Sequence, residues 1–578
     1  MEKNDIVHIL EEIATLLELT GESPFKVRAY RSAARQLDSL SNDFSILVKE
    51  ERLSEVPGIG KGLAEKITVL SRTGQLPLYD DLKKQVPESL LEMLAIPGLG
   101  AKKIKTMHKQ LGIQSVADLK KACLEEIIAE LPGFGTKTQN TILMGIEHLE
   151  KYRQRHLWWK AMKLASPILE KLQKLEGVEK ADIAGSLRRR LETVRDLDFL
   201  AASSEPTRIM EWFTTQKWVA TITAKGKTKS GVRLPEGMQA DLRVVPKEQY
   251  ASALLYFTGS KEHNIHLRER ARQRGLTLNE YGLLPLKKGA PALFSKKKKM
   301  IEESDLFEAL DLSYIPPELR ENMGEIEAAE KKQLPSLIND KDIRGVFHNH
   351  TTASDGRNTL EEMASAAQEL GWEYLGIADH SKSSVQANGL DETRVLRQID
   401  QIKKLNRSNR YRIHLFTGIE CDILNDGSLD LSDEVLKQLD YVVISIHRGF
   451  KQDEKTLTKR LIRAIEHPLS TMVGHLTGRL LLRREPYAIN VHKVIDAAIA
   501  NKTIIELNAN PQRLDMDWRL WRHAKEKGLM CAINPDAHNT DSLLFYRAGV
   551  NIARKGWLEK KDILNTYSLA KVKSYFSH

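Results

Sequence analysis

The sequence predicts a multidomain chain: a helical region first, an α+β region in the middle and a parallel α/β barrel at the end. Three observations carry this. A Pro-Gly-x-Gly turn recurs three times between helical segments before residue 142. Aspartates alternate with apolar residues in the strand-like stretches RDLDFLA (195–201) and QADLR (239–243). After residue 340, seven short apolar runs alternate with amphipathic helices, and most of those runs close on His, Glu or Asp.

The bulk numbers set the frame. The 578 residues suffice for three or four domains at roughly 150 residues each. A net charge of +10 suits a polyanionic partner. Cys123, Cys421 and Cys531 form no close pair, which excludes a CxxC zinc site and a disulfide framework. The N-terminal MEKNDIVHILEEIATLL reads as an amphipathic helix, acidic where a signal peptide is basic. No run approaches the ~18 apolar residues of a membrane span. A soluble protein of a reducing compartment, cytoplasmic and associated with the nucleoid, is expected, with a monomer as the default.

The first third repeats one device. SEVPGIGKGLAEKI (54–67), LAIPGLGAKKIKTM (94–107) and AELPGFGTKTQNTI (129–142) each join an apolar helical lead-in to a second helix with Lys near its start. Proline ends the first helix, and the glycines (Gly58 and Gly60, Gly98 and Gly100, Gly133 and Gly135) permit positive φ and close backbone approach. The second helix then presents unpaired N–H groups and the positive end of its dipole, an anion site. One such turn is equally a plain connection between packed helices. Three, spaced 35–40 residues apart, favour a helix-hairpin-helix clamp on a nucleic-acid backbone that does not read sequence.

The middle third carries three carboxylates. Asp196 and Asp198 stand at i and i+2 in a strand, hence on one face, and Asp241 has the same setting. Three such groups can hold two divalent ions about 3.5–4 Å apart, the arrangement of in-line phosphoryl transfer. All-oxygen ligands suit Mg²⁺. The preceding Gly185-Ser186 turn can donate to a triphosphate, and Arg189 can neutralise it.

In the last third His348 and His350 close the first run, His380 the second, and Glu420, His447 and His475 the next three. Asp536 and His538 close the last, and Asp355 follows the first on a loop. In a parallel barrel the C-terminal strand ends share one mouth, so these residues converge. His414, His467, His492 and His523 lack that placement and read as ordinary polar residues. An imidazole–carboxylate set without thiolate suits Mn²⁺ or Zn²⁺. Arg357, Arg479 and Arg483 are either phosphate clamps or surface arginines, and Cys421 should point away from the mouth.

These motifs resemble those of known families. YFTGSKEHNIHLRERARQRGLTLNEYGLLPL (256–286) is similar to the nucleotide-binding and thumb segment of family X DNA polymerases. GSLRRRLETVRDLD and QADLR resemble the family's palm, and the N-terminal helices its DNA-end-binding domain; together the resemblance covers about residues 1–325. It implies that Asp196, Asp198 and Asp241 bind two metals, with Asp241 nearest the primer 3′-hydroxyl. It also implies that Gly185, Ser186 and Arg189 hold the triphosphate, that Tyr256, Phe257 and Gly259 line the sugar pocket, and that Asn264, beside Lys261, faces the base or minor groove. Two positions depart from the vertebrate repair members: Gln239 replaces an arginine and Arg195 a glycine. Lys66 matches the lysine of members with lyase activity, although a helix-surface lysine is the plainer reading.

The histidine series resembles the polymerase-and-histidinol-phosphatase (PHP) domain, a distorted (β/α)7 barrel with up to three ions. The resemblance assigns His348, His350, Glu420 and Asp536 to one ion, Glu420, His447 and His475 to a second, and Asp355, His380 and His538 to a third.

The expected organisation is a DNA-end-binding domain (1–90), a fingers-like hairpin region (91–150), a nucleotidyltransferase palm and thumb (151–325), a linker (326–340) and the PHP barrel (341–578). The whole resembles bacterial family X polymerases. This implies short-gap filling from dNTPs on gapped or nicked DNA in base excision repair, with 3′–5′ exonuclease and abasic-site endonuclease or 3′-phosphodiesterase activity in the barrel. Three alternatives stand beside it: a DNA module fused to a small-molecule phosphatase, a DNA-end scaffold with vestigial catalysis, and an untemplated nucleotidyltransferase.

Overall fold

The computed structural model describes residues 3–39, 44–96, 99–152, 155–286, 300–408 and 410–577. It divides into two units, Met1–Gln154 and Arg155–His578.

The described residues of the first unit form helices and turns. Helix Lys3–Thr20 buries Ile6, Leu10, Ile13 and Leu17, a stripe at 3–4 residue spacing. It packs on Pro24–Ser39, which answers with Val27, Tyr30, Ala34 and Leu37. Each repeated turn launches a helix: Lys61–Thr73 after Gly60, Ala101–Leu111 after Gly100, and Gly135–Tyr152. Gly58 (φ +89°) and Gly133 (φ +82°) need the left-handed region. Gly60 (φ −72°) and Gly100 (φ −96°) do not, and a Cβ on either meets no atom within 4 Å. Both glycines are the N-caps of their helices, a position that favours glycine without any contact demanding it. Gly98 lies outside the described residues, as does the lysine run 296–299.

The second unit begins with a five-stranded sheet in the order 180–183, 196–202, 239–245, 229–233, 221–225. Strands Asp196–Ala202 and Gln239–Val245 run parallel. Leu197, Phe199, Ala201, Ala240, Leu242 and Val244 all enter one buried cluster with helices Trp158–Gln173 and Pro206–Thr214. The period-two alternation then puts Asp196, Asp198 and Asp241 on the opposite face. Helices Tyr250–Thr258 and Lys261–Gln273 and the hairpin Leu276–Asn279/Gly282–Pro285 follow.

The stretch 326–340 is not a linker. Helix Glu325–Glu330 buries Ile326 and Ala329 in the same core as Leu267, Phe307 and Trp557. Ile338 is fully buried in the barrel's helix-facing core, and Leu337 bridges Glu559. Its charged surface residues read as a tether, but its apolar ones are anchors.

The barrel is seven parallel strands in chain order, from Gly345–Val346 to Cys531–Asn534. A bridge between Asn349 and Ala537, and Asn534 Oδ1 accepting from the Phe347 N–H at 2.9 Å, join the last strand to the first. Phe347, Tyr374, Phe416, Tyr441, Met472 and Ile504 fill the interior, while Leu375, Leu415, Cys421, Ile444, Ile505 and Ile533 face the surrounding helices. Cys421 therefore points outward, as expected.

Candidate active sites

In the sheet of the second unit, Asp198 and Asp241 are direct cross-strand partners, and Asp196 lies two residues along the same face. Their proximity has an electrostatic signature. Burial, with Asp196 and Asp241 adding repulsion, pushes the Asp198 carboxyl up to about 7, and burial plus Asp241 raises Asp196. Such a face lacks positive charge. Lys229 Nζ supplies part of it, 3.2 Å from Asp241 Oδ2, and Gln239 Nε2 donates to Asp241 Oδ1 at 2.7 Å and to Thr223 Oγ1 at 2.8 Å. Glycine makes room. A Cβ on Gly185 (φ +61°) falls 2.1 Å from Asp198 Oδ2, and one on Gly231 falls 2.7 Å from Asp241 Oδ1. Lys229 and Gly231 were not singled out from sequence; their register opposite Arg243 and Asp241 is what marks them.

The nucleotide residues flank this face. Gly185 and Ser186 open the short helix Gly185–Arg188. Arg189 turns toward the following helices: its Nε donates to Glu321 Oε1 at 3.0 Å, and Nη1 donates to the Thr258 carbonyl beside Gly259. Tyr256 and Phe257 meet edge-on at 5.1 Å, and the Arg243 guanidinium lies 4.5 Å over the Phe257 ring. Asn264 Nδ2 donates to the Tyr256 carbonyl at 2.7 Å and lines a small cavity with Tyr256, Arg268 and Leu278. Lys261 is exposed in the first turn of its helix, whose N-cap is Ser260. In the first unit, Lys66 Nζ donates to the Tyr30 hydroxyl at 3.1 Å.

The second centre is the barrel mouth, where all nine residues meet. Glu420 is the hub. His475 Nε2 (2.9 Å) and His447 Nε2 (3.2 Å) face its Oε1, while His380 Nδ1 (2.8 Å), His348 Nε2 (3.3 Å) and His350 Nε2 (3.8 Å) face Oε2. Three groupings among the described residues bring their ligand atoms within 4.8 Å: His348, His350 and Asp536; His380, Glu420 and His447; His350, Asp355, His380 and His538. His350 thus joins the third set as well as the first, and His380 faces two sets.

Do these residues fit metal ions? Five of their buried atoms (His348 Nε2, His350 Nδ1, His380 Nδ1, Glu420 Oε2 and His475 Nδ1) lack a properly directed hydrogen bond. Orphaned polar atoms at that density suit a site able to take a cation. Protonation agrees. Burial opposes charge, yet Glu506, Glu420 and Asp536 raise His348 well above its ordinary value. Against burial, Glu420 and Asp422 lift His447 to about 10, and Asp355 and Asp536 lift His538 to about 9. Burial and the neighbouring His538 and His380 hold His350 down at about 4. The histidines keep Glu420 and Asp536 ionised despite their burial. Each expected ligand set thus contains one imidazole whose affinity for a proton is raised: His348, His447 and His538. The donor set fits divalent ions.

Each raised imidazole must shed its proton to become a ligand. Divalent-ion affinity should consequently rise as pH climbs toward about 9–10, with protons released on binding. Titration calorimetry in buffers of different ionisation enthalpy measures that release; a pH-independent affinity contradicts it.

Oxygens behind the ligands, two carboxylates and one backbone carbonyl, fix their rings. Glu506 Oε2 faces His348 Nδ1 at 2.7 Å, Asp422 Oδ1 faces His447 Nδ1 at 2.7 Å, and the Asp536 carbonyl faces His538 Nδ1 at 3.0 Å. Glu506 also accepts from the His475 N–H (3.0 Å), Asn508 Nδ2 (2.9 Å) and Asn534 Nδ2 (3.0 Å). Sequence reasoning missed Glu506 and Asp422. The signal was present: Glu506 is the one charge in the apolar run TIIELN, and Asp422 shares the strand face of Glu420. Glu506→Gln should weaken ion binding at His348 by about 10–100-fold without unfolding the barrel. Metal titration beside a melting curve checks both halves.

Arg479 is not a phosphate clamp. It is buried, donating to the Arg513 and Leu514 carbonyls, Asp517 and Glu192. Arg513 comes nearer, its Nε 3.6 Å from Asp536 Oδ2 at the half-buried rim.

Comparison with known proteins places the chain in a family. Family models match for a helix-hairpin-helix domain (residues 1–76), a SAM-like helix-hairpin-helix tandem (90–147), a DNA polymerase beta thumb (253–321) and a PHP domain (347–510). The chain is 38% identical over 578 residues to the DNA polymerase/3′-5′ exonuclease PolX of Bacillus subtilis (strain 168), covering 100% of this chain and 99% of that protein. It is 24% identical over 338 residues to DNA polymerase lambda of Rattus norvegicus, covering 54% of this chain and 56% of that one. Against a probable phosphatase of Thermoanaerobacter sp. (strain X514) it is 26% identical over 239 residues, covering 39% of this chain and 92% of the phosphatase. With an aspartate-bearing sheet, a polymerase thumb and a histidine-rich barrel on one continuous chain, this protein belongs to the bacterial family X DNA polymerases that carry a C-terminal PHP domain.

Proposed function

We propose that the chain fills short gaps during base excision repair, adding dNTPs to a primer 3′ end at the sheet and shortening 3′ ends at the barrel mouth. The barrel's repertoire extends to abasic-site endonuclease and 3′-phosphodiesterase reactions. The observation that carries the reading is the pairing of two independent anionic centres, Asp196/Asp198/Asp241 and the Glu420 hub, on a chain with repeated helix-hairpin-helix turns.

At the sheet, Asp196, Asp198 and Asp241 hold Mg²⁺, and Asp241 faces the primer hydroxyl. Gln239 and Lys229 each engage one of its oxygens, fixing the carboxylate's orientation. Gly185, Ser186 and Arg189 receive the triphosphate; Tyr256, Phe257 and Gly259 exclude a 2′-hydroxyl; Asn264 and Lys261 border the base. At the mouth the nine ligands hold up to three Mn²⁺ or Zn²⁺ ions, which supply charge neutralisation and an activated water when bound. Glu506 and Asp422 keep the rings aimed, and Arg513 stands where a phosphate oxygen would arrive. The protein acts as a monomer at the nucleoid, and Lys66 is the candidate lyase residue.

The test is a labelled one-nucleotide-gapped duplex. With Mg²⁺ and the templated dNTP the primer should grow by one; with Mn²⁺ and no nucleotide it should shorten stepwise, and His348→Ala should lose only the shortening. One rival is a barrel acting on small phosphomonoesters, and the likeness to a probable phosphatase is what keeps it in view. Hydrolysis of a phosphomonoester with no shortening of DNA would establish it instead.

The hairpin turns yield a separate expectation. Gly60→Ala with Gly100→Ala should leave stability within about 1 kcal/mol, because both φ values suit alanine and the added methyls meet nothing. Gapped-DNA affinity should fall severalfold. Unchanged affinity would remove these two turns from the DNA interface.

A further inference from the structure

The loop joining Ser186 to Asp196 is held by the barrel. Lys555, last residue of the barrel helix Tyr546–Lys555, is buried between the barrel's own Trp518 ring, 4.5 Å from its Nζ, and residues of the preceding domain. Its Nζ donates to the carbonyls of Arg189 and Glu318, each at 3.2 Å, and to Glu321 Oε1 at 2.6 Å. That same Glu321 oxygen accepts from Arg189 Nε at 3.0 Å. Two more barrel side chains grip the loop: Asn551 accepts from Arg190 Nη1, and Arg479 donates to Glu192.

The charges in this cluster are what matter. Arg189 and Lys555 share one carboxylate, so the triad carries a net +1. Without Lys555, Glu321 would neutralise Arg189 alone, and the guanidinium would present no net charge to an incoming polyanion. In a buried setting of low dielectric, that difference of one charge is felt strongly.

We propose that Lys555 of the PHP barrel is a positioning residue for polymerisation: by sharing Glu321 it leaves Arg189 electropositive toward the nucleotide triphosphate. The barrel then contributes to the polymerase site as well as owning a hydrolytic centre. This rests on the reading that Arg189 meets the triphosphate.

The sign of the effect separates this role from simple packing. Lys555→Met lowers the triad to 0 and should raise the KM for dNTP about tenfold with kcat within about threefold, since one lost charge contact is worth roughly that factor. Glu321→Gln raises the triad to +2 and should not raise KM. The double variant returns it to +1 and should bring KM back near wild type, a non-additivity that marks direct coupling. Shortening of 3′ ends, which uses none of these residues, is the internal standard and should persist in all three.

Gap-filling kinetics on the full-length protein decide the matter. An unchanged KM in Lys555→Met would overturn the proposal. So would parallel loss of gap filling and shortening, or failure of the double variant to recover, because each marks packing rather than charge. Arg189→Ala is the check on the premise: an unaltered KM there brings the proposal down through the nucleotide-site reading rather than through Lys555.

Discussion

Glu420→Gln should abolish shortening of DNA 3′ ends, by about a thousandfold or more, while gap filling proceeds at the wild-type rate. Glu420 is almost fully buried and, among the described residues, is the only carboxylate faced by five imidazoles, two on one oxygen and three on the other. Glutamine keeps the volume but removes the charge that links the ligand sets, and its NH₂ group would point at ring nitrogens. Losing several kcal/mol of electrostatic stabilisation corresponds to three or more powers of ten in rate. The protonation pattern should change with it. His447 owes its raised value, about 10, first to Glu420 among its charged neighbours, so the variant's His447 should titrate lower. Metal content by mass spectrometry, nuclease rate and gap-filling rate together test this; a variant that keeps both its ions and its nuclease would overturn the hub assignment.

Asp198→Asn should do the converse, stopping nucleotide addition by a comparable factor and leaving the nuclease intact. It carries a second, less expected outcome: the metal-free protein should become more stable. Asp198 is pushed up to about 7 by burial and by Asp196 and Asp241, so ionising it in the fold is unfavourable. A carboxyl whose folded value lies above its unfolded one binds an extra proton when native, and stability falls as pH rises between the two values. The asparagine variant escapes that fall. Its advantage should be absent near pH 4, grow toward about 7 and level off above, as measured by melting temperature in chelator. Without that trend, the three aspartates do not repel one another as their register implies.

Much of this was legible in the sequence because the informative interactions are local or periodic. Alternation placed Asp196 and Asp198 on one face, and the seven apolar runs of the barrel correspond one for one to its strands. Most of the mouth residues could be named because barrel topology brings strand ends together wherever they fall in the chain. What escaped notice depends on pairings that no local pattern encodes. Arg479 and Glu192 are 287 residues apart, so a buried interdomain ion pair looked like a surface arginine. The tie of Arg189 Nε to Glu321, 132 residues away, has no local signal either. The 326–340 stretch looked like a tether because its charges are evident in sequence and the cavities its apolar residues fill are not. Glu506 was passed over because an orienting carboxylate has no spacing rule of its own.

The seam between the first and last barrel strands has a consequence for synthesis. His348 and His350 lie on one side of it, Asp536 and His538 on the other, and the Asn349–Ala537 bridge spans it. A ribosome must add nearly two hundred residues after the first ligands emerge before their partners exist. The aspartate-bearing sheet, by contrast, is complete by Val245. Because domains fold as they emerge, the extending centre can form well before the trimming one. A chain cut off before Asp536 would carry the aspartate face without the trimming centre and without Lys555, the barrel residue that engages Glu321 and the Arg189 carbonyl.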